Sequence, residues 1–191
     1  IKNIKFETET AKTFVSAPGS LNGKNERYSH NVTIEDCTFY TPTFNENVSA
    51  ISTQKTYHFA VKNCSAENMH SLLQVQSCDN TAVVDGVTTE NCKNGVAFGN
   101  TAHATLKNSE IASTAYGVRG DGNASRGNLS IENTTITAAK PVIIRKMTTK
   151  TYAVAIDDAS ELNTTATYHV IFTNDDDERE FVEPTGEFTI D

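Results

Sequence analysis

One short phrase recurs along the chain and constrains its fold more than any other feature. The phrase holds two apolar residues separated by one position, then Asn, Asp or Gly, then a small residue. The clear copies are Val32–Phe39, Phe59–Ala66, Ala82–Thr89, Ala104–Ile111 and Leu129–Ile136, and weaker copies start at Ile4 and Val154. Successive copies start 22 to 28 residues apart. A period of this length predicts a repeat protein whose units stack on one another.

Each copy predicts a strand that ends in a corner. Alternation places residues such as Val32 and Ile34 on one face, as expected for a strand with one buried side. A residue type that tolerates a left-handed backbone then interrupts the alternation. The predicted bend residues are Asp36, Asn63, Gly86, Asn108 and Asn133. Side-chain amides at such a corner are expected to hydrogen-bond from coil to coil.

A second apolar ladder follows about fourteen residues into most copies. Its members are Leu73–Val75, Val96–Phe98, Tyr116–Val118 and Val142–Ile144, with Val48–Ala50 as an offset match. Two ladders in such short coils leave no room for crossover helices. We therefore predict an all-β fold, a right-handed parallel β-helix (solenoid) of about seven short coils. An antiparallel sandwich also has short, regularly spaced strands, but it does not account for the recurring bend residue.

The ends and the inserts of the solenoid lead to further expectations. Residues 1–173 are predicted to form the parallel β-helix, and residues 174–191 an acidic C-terminal segment that caps the last coil. The first coil has no obvious cap and the chain opens at Ile1 without Met, so we expect it to be part of a longer chain. Inserts at Pro18–Asn25, Thr41–Asn47 and Gly120–Asn128 are expected to be surface loops that carry function.

Composition excludes some partners. The formal net charge of −8 argues against a nucleic acid, because phosphate binding needs a basic face. The sequence has no apolar run near the roughly 20 residues of a membrane span, so no transmembrane segment is predicted. The four cysteines are too few for a disulfide scaffold and lack CxxC spacing. No cofactor or metal site is predicted, and loose calcium binding by the acidic tail is the one option left open.

The repeat resembles a known superfamily. Phrases such as Val32–Phe39 and Leu129–Ile136 are similar to those of right-handed β-helix proteins of the pectin-lyase-like superfamily, and more narrowly of secreted or surface β-helix proteins of gut Bacteroidetes. The similarity covers nearly the whole chain and lies in the style of the repeat. It implies an extracellular or cell-surface location. Such proteins include polysaccharide lyases, glycoside hydrolases, adhesins and stalks, so the fold alone selects no activity.

One group of charged residues is a candidate binding site. Arg119, Asp121, Arg126 and Arg145 form the best local mixture of charges, because positions near 119 and 145 should lie on adjacent rungs. The simpler interpretation is a solvated surface with local ion pairs. Arg119-Gly-Asp121 is also an integrin-type tripeptide, although matches this short arise often by chance.

No catalytic residues are predicted. The doublet Asp157-Asp158 invites comparison with the paired carboxylates of glycoside hydrolases. Neighbouring residues on a strand point to opposite faces, which favours a structural role at the last corner. The residues just before the bends form an outward column of largely alternating charge, which favours a structural face. Its predicted members are Glu7, Glu35, Lys62, Asp85, Lys107, Glu132 and Asp157.

These patterns together favour a non-catalytic extracellular β-helix. It would act as an adhesion or binding module, or as a structural spacer, and would face glycans or surface proteins. The alternative is a polysaccharide lyase or glycoside hydrolase. Such enzymes usually have longer coils and clefts with several aromatic or basic residues, whereas this chain has short coils and no Trp.

Overall fold

The structure is a computed structural model that describes residues 1–10, 12–18, 29–121, 127–145, 151–174 and 177–190. Within these ranges every regular element is a strand and no helix is present. The described strands form two sheets, one of eleven strands and one of seven, and one apolar core holds residues from both.

The strands are numbered in chain order. The eleven-stranded sheet contains β1 (Lys5–Glu7), β2 (Thr13–Pro18), β4 (Thr38–Gln54), β6 (Ser65–Val75), β8 (Thr88–Gly99), β10 (Glu110–Asp121), β12 (Thr135–Thr137), β13 (Lys140–Arg145), β15 (Glu161–Asn163), β16 (Val170–Asn174) and β17 (Asp177–Phe181). The seven-stranded sheet contains β3 (Val32–Glu35), β5 (Thr56–Lys62), β7 (Cys78–Asp85), β9 (Thr101–Lys107), β11 (Gly127–Glu132), β14 (Tyr152–Ile156) and β18 (Gly186–Ile190).

The repeated phrase sets the register of the seven-stranded sheet. The first apolar residues of successive copies stand side by side on parallel strands, namely Val32, Phe59, Ala82, Ala104, Leu129 and Val154. Two positions further on, the side chains Ile34, Val61, Val84, Leu106 and Ile131 are fully buried. The fold is therefore a parallel β-solenoid, as the repeat predicts.

The solenoid has about five turns, and the prediction of about seven was too high. The copy at Ile4 supplies β1 and β2 but, among the described residues, no strand of the seven-stranded sheet. Its corner is Asn3, whose φ is 58°, so Lys5 already pairs with Thr38 in the eleven-stranded sheet. The copy at Val154 lies in the last turn, which is bordered by antiparallel strands in both sheets.

The same shift removes Glu7 from the predicted charge column. Glu7 pairs with Tyr40 in the eleven-stranded sheet, and Lys2 takes the place beside Glu35. The Lys2 Nζ lies 3.3 Å from the Glu35 Oε2. The column on the seven-stranded sheet therefore runs with alternating sign through Lys2, Glu35, Lys62, Asp85, Lys107 and Glu132. The predicted last member, Asp157, directly follows the end of β14 and breaks the alternation, because it is acidic like Glu132.

The five bend residues adopt left-handed backbone conformations. Their φ values are 53° for Asp36, 49° for Asn63, 64° for Gly86, 50° for Asn108 and 44° for Asn133. The Asn63 amide donates to the Asp36 carboxylate at 3.1 Å, and the Asn133 amide donates to the Asn108 amide oxygen at 3.0 Å. Gly86 has no side chain, and the Asn108 amide donates instead to the Asp85 carboxylate at 2.8 Å.

The second ladder is partly out of the predicted register. Val96 pairs with Val118, and Phe98 with Gly120, so the segment Tyr116–Val118 was placed two residues too early. Register shifts between Ile111 and Tyr116 cause this displacement. In the first complete turn Ile51, rather than Val48–Ala50, pairs with Leu73.

The C-terminal segment returns along both sheets. The β17 strand pairs antiparallel with β16, and β18 pairs antiparallel with β14. The rings of Phe181 and Phe188 meet edge to face at 5.1 Å, which joins the two returning strands over the last turn. Antiparallel strands at this position cover the backbone edges that the last parallel strands would expose.

One predicted loop insert proves to be strand, and the described ends of a second insert also lie in strands. Thr41–Asn47 lies inside β4, between irregularities in its pairing with β6. In the insert Gly120–Asn128, Gly120 lies near the end of β10 and Asn128 near the start of β11. Residues 19–28 and 122–126, which include most of Pro18–Asn25 and the predicted Arg126, lie outside the described residues.

Candidate functional site

The candidate site lies on the outer face of the eleven-stranded sheet, where β10 and β13 end. Asp121 of β10 pairs with Arg145 of β13. Gly120 faces the core, since a Cβ added there would meet the buried side chains of Tyr152 and Ile144. The neighbouring Arg119 and Asp121 therefore face outward, because side chains alternate along a strand.

One carboxylate holds two guanidinium groups in this cluster. The Arg145 Nε donates to the Asp121 Oδ1 at 2.7 Å, and the Arg119 Nη2 lies 3.1 Å from the Asp121 Oδ2. The side chain of Asp121 is 12% exposed, against 27% for Arg119 and 46% for Arg145. Two cations against one anion leave this cluster net positive on a chain whose net charge is −8.

Arg119 is held from its other side by Tyr116. The Arg119 Nη1 donates to the Tyr116 hydroxyl at 3.1 Å, and the guanidinium carbon lies 5.4 Å from the ring centroid. The Arg119 Nε is buried and has no hydrogen-bond partner among the described residues. Burial raises the pKa of Tyr116, so its hydroxyl stays protonated and retains a proton to donate.

Arg145 is the cation that the cluster presents to solvent. Its hydrogen bond to Asp121 raises its pKa and fixes the orientation of the guanidinium through Nε. This hydrogen bond uses the Nε alone, one of the five N–H donors of the guanidinium. Two parallel N–H donors in this arrangement suit a carboxylate or a pair of sugar hydroxyls.

The structure brings three of the four predicted binding residues together, namely Arg119, Asp121 and Arg145. Arg126 lies outside the described residues. The integrin-type interpretation of Arg119-Gly-Asp121 loses support, because the two charged side chains pair with each other on a strand and Gly120 packs inward.

Sequence reasoning missed a polar pair beside this cluster. The Asn94 Nδ2 lies 3.1 Å from the His70 Nε2, and the buried Asn94 Oδ1 finds no partner in the described part of the chain. Burial is the main cause that lowers the pKa of His70, so the neutral imidazole accepts this hydrogen bond. Asn94 pairs with Tyr116 on the neighbouring strand. Aligning successive coils of the repeat at Tyr116 would therefore have identified Asn94 as a neighbour of the cluster.

Asp157 has a structural environment. Its carboxylate accepts hydrogen bonds from the Ser160 hydroxyl at 2.6 Å and from the Asn133 backbone N–H at 3.1 Å. The hydrogen bond from Ser160 is the largest cause that lowers the pKa of Asp157. A general acid of a glycosidase needs a raised pKa, so these contacts favour a corner role.

Neither a metal-ligand group nor a membrane-spanning helix is present among the described residues. They contain no group of three His, Cys, Asp or Glu side chains placed to hold a metal ion. They also contain no helix that is long and apolar enough to cross a membrane.

Fold and site together define the chain as a parallel β-solenoid with an Arg–Asp–Arg cluster on one outer face. No protein-family model matches it, and no curated protein or solved structure shows significant similarity to it. Membership of the pectin-lyase-like superfamily and an origin in gut Bacteroidetes therefore remain expectations from the repeat.

Proposed function

We propose that the chain is a non-catalytic extracellular binding module that contacts glycans through the Arg119–Asp121–Arg145 cluster. The observation that carries the proposal is the Asp121 carboxylate, which contacts both guanidinium groups at the ends of paired strands. A preoriented guanidinium loses little side-chain entropy on binding. The extracellular location rests on the resemblance of the repeat.

The lyase alternative is less well supported by this site. A lyase needs a group that removes a proton next to a carboxylate, and an arginine does so only if its pKa is lowered. The hydrogen bond from Arg145 to Asp121 raises the pKa of Arg145 instead. The cluster therefore suits binding better than proton abstraction.

The test is a glycan array probed with the purified chain. Binding should fall strongly in Arg145→Gln and in Arg145→Lys, because lysine keeps the charge and loses the two parallel donors. Lys62→Gln is the matched control, since it removes one exposed cation from the other sheet. Binding that survives Arg145→Gln together with Arg119→Gln would reject the site, and a chain that binds no glycan would favour the structural spacer.

Incubation with pectin, alginate and chondroitin, with and without calcium, tests the enzyme alternative. We expect no unsaturated products and no new reducing ends. If products appeared and Arg119→Ala or Arg145→Ala abolished them, the lyase interpretation would replace the binding module.

A further inference from the structure

A trough of about 520 Å³ lies on the outer face of the seven-stranded sheet, away from the Arg–Asp–Arg cluster. It crosses β9, β11, β14 and β18, and its volume lies in the range of small-molecule sites. Its floor is low because β14 presents only methyl groups there, from Ala153 and Ala155. The walls carry longer side chains on both sides of β14, which turns a flat sheet face into a concave site.

The walls carry mostly uncharged hydrogen-bonding groups. On one side the imidazole of His103 lies 3.2 Å from the Asn128 amide oxygen through its Nδ1. This contact uses only the His103 Nδ1 and the Asn128 Oδ1, and both side chains are exposed. Ser130 lies on the same side, while Glu187 and Thr189 of β18 face it across the floor. Alternating donors and acceptors above a methyl floor match the hydroxyl edges and apolar face of a sugar ring.

Charge selects among the glycans that this trough accepts. Along β14 the trough continues into a second recess of about 360 Å³ that shares Ser130, Ala155 and Glu187. That recess is lined by Glu132, Asp157 and Asp158, so the potential along the trough is negative. An acidic glycan would be repelled from this surface at low ionic strength.

We infer that this trough, formed around Ala153 and Ala155, is a second binding site of the chain and that it takes an uncharged oligosaccharide. It is independent of the Arg–Asp–Arg cluster, because the two sites lie on different sheets and share no residue. Asn128 and His103 donate and accept hydrogen bonds at one wall, and Glu187 accepts from sugar hydroxyls at the other.

The test is titration of the isotope-labelled chain with short gluco-, xylo- and manno-oligosaccharides, followed by amide shifts in NMR spectra. We expect one of these neutral series to shift amides of β9, β11, β14 and β18. Ala155→Phe fills the floor and should weaken binding by about tenfold or more. Ala60→Phe is the matched control, since Ala60 occupies the same outward column of the same sheet.

Two further variants keep the test decisive. If Ala155→Phe does not fold, Asn128→Ala should still weaken binding, because it removes exposed amide donors and leaves the backbone pairing intact. Arg145→Gln should leave the trough unaffected, so failure of the first site and failure of this one are distinguishable. The inference is overturned if no neutral oligosaccharide shifts these amides, if binding survives Ala155→Phe in a folded protein, or if acidic oligosaccharides bind the trough as well as neutral ones.

Discussion

The ring of Tyr152 fills the space above Gly120 so closely that a Cβ added to Gly120 would lie 2.5 Å from the Tyr152 hydroxyl oxygen. Tyr152 is 1% exposed, and no described residue forms a hydrogen bond with its hydroxyl. The same glycine separates the outward residues Arg119 and Asp121. Gly120 therefore contributes both to the packing of the last turns and to the geometry of the candidate site.

Gly120→Ala should destabilise the fold by about 1 to 3 kcal/mol, because the added methyl group overpacks the core. Denaturant unfolding of Gly120→Ala, Tyr152→Phe and the double variant measures the coupling. The double variant should recover part of the loss, since removing the hydroxyl removes the nearest contact. Equal losses in Gly120→Ala and in the double variant would show that this contact is not the cause.

Tyr152→Phe alone should leave stability unchanged or raise it by about 1 kcal/mol, because a buried hydroxyl without a partner keeps its desolvation cost. Thermal unfolding measures the change. Phe172→Leu offers a control for loss of packing at a fully buried aromatic residue. A clear destabilisation by Tyr152→Phe would mean that the hydroxyl is hydrogen-bonded in solution.

Ile34→Asp or Leu106→Asp should abolish folding. Both side chains are fully buried, and a carboxylate there would have no partner. Circular dichroism and a thermal scan are the measurements. Glu35→Ala is the control, because its exposed ion pair with Lys2 is worth about 0 to 1 kcal/mol. A severe loss from Glu35→Ala would contradict the assignment of faces.

The first ladder could be predicted because two signals agree in each central copy. Alternation marks the strand, and a residue that tolerates positive φ marks its end. The first copy misled because Ile4 and Phe6 also alternate, although the true corner is Asn3. Two further left-handed residues, Asn68 and Asn91, lie five positions after the bends Asn63 and Gly86. This regular spacing could have been used to predict a second left-handed position in these two turns.

The second ladder and the site were harder to predict. Gly120 faces the core but has no apolar side chain, so the alternation of apolar residues did not reveal its position. The prediction therefore placed the core ladder at Tyr116–Val118, two residues before the position that pairs with Val96–Phe98. Tyr116 instead supports Arg119 through its hydroxyl. The length of the repeat predicted that Arg119 and Arg145 lie on adjacent coils. The hydrogen bonds that orient them could not be predicted, because they depend on the side-chain conformation of Asp121.

Substitutions at Asn108 should separate backbone strain from hydrogen bonding. Asn108→Gly loses two amide contacts but accepts the left-handed backbone, whereas Asn108→Ala loses the contacts and also strains the backbone. We expect alanine to cost about 1 to 2 kcal/mol more than glycine in denaturant unfolding. Equal stability of the two variants would show that the corner relaxes out of the left-handed region.

The buried thiols should make the fold sensitive to alkali. The four cysteines are free and buried, and burial raises the pKa of both Cys64 and Cys92 to about 11. In the unfolded chain a thiol ionises at a pH of about 8.5. The unfolded state then binds fewer protons than the native state, so stability falls as the pH rises from about 8.5 toward 11.

Cys64→Ser with Cys92→Ser should flatten that alkaline decline relative to the native sequence. Serine suits the position of Cys64, because Ser109 occupies the equivalent place and donates to the Lys107 carbonyl at 2.6 Å, as the Cys64 thiol does to the Lys62 carbonyl at 3.2 Å. Lysines and tyrosines titrate in both proteins, so the difference between the two stability curves isolates the thiols.

Thiol labelling is a second measurement of the same burial. A thiol reagent should label the native chain only at the rate of unfolding. Rapid labelling of the native chain at neutral pH, or parallel alkaline curves for the two proteins, would contradict the protection of these cysteines by burial.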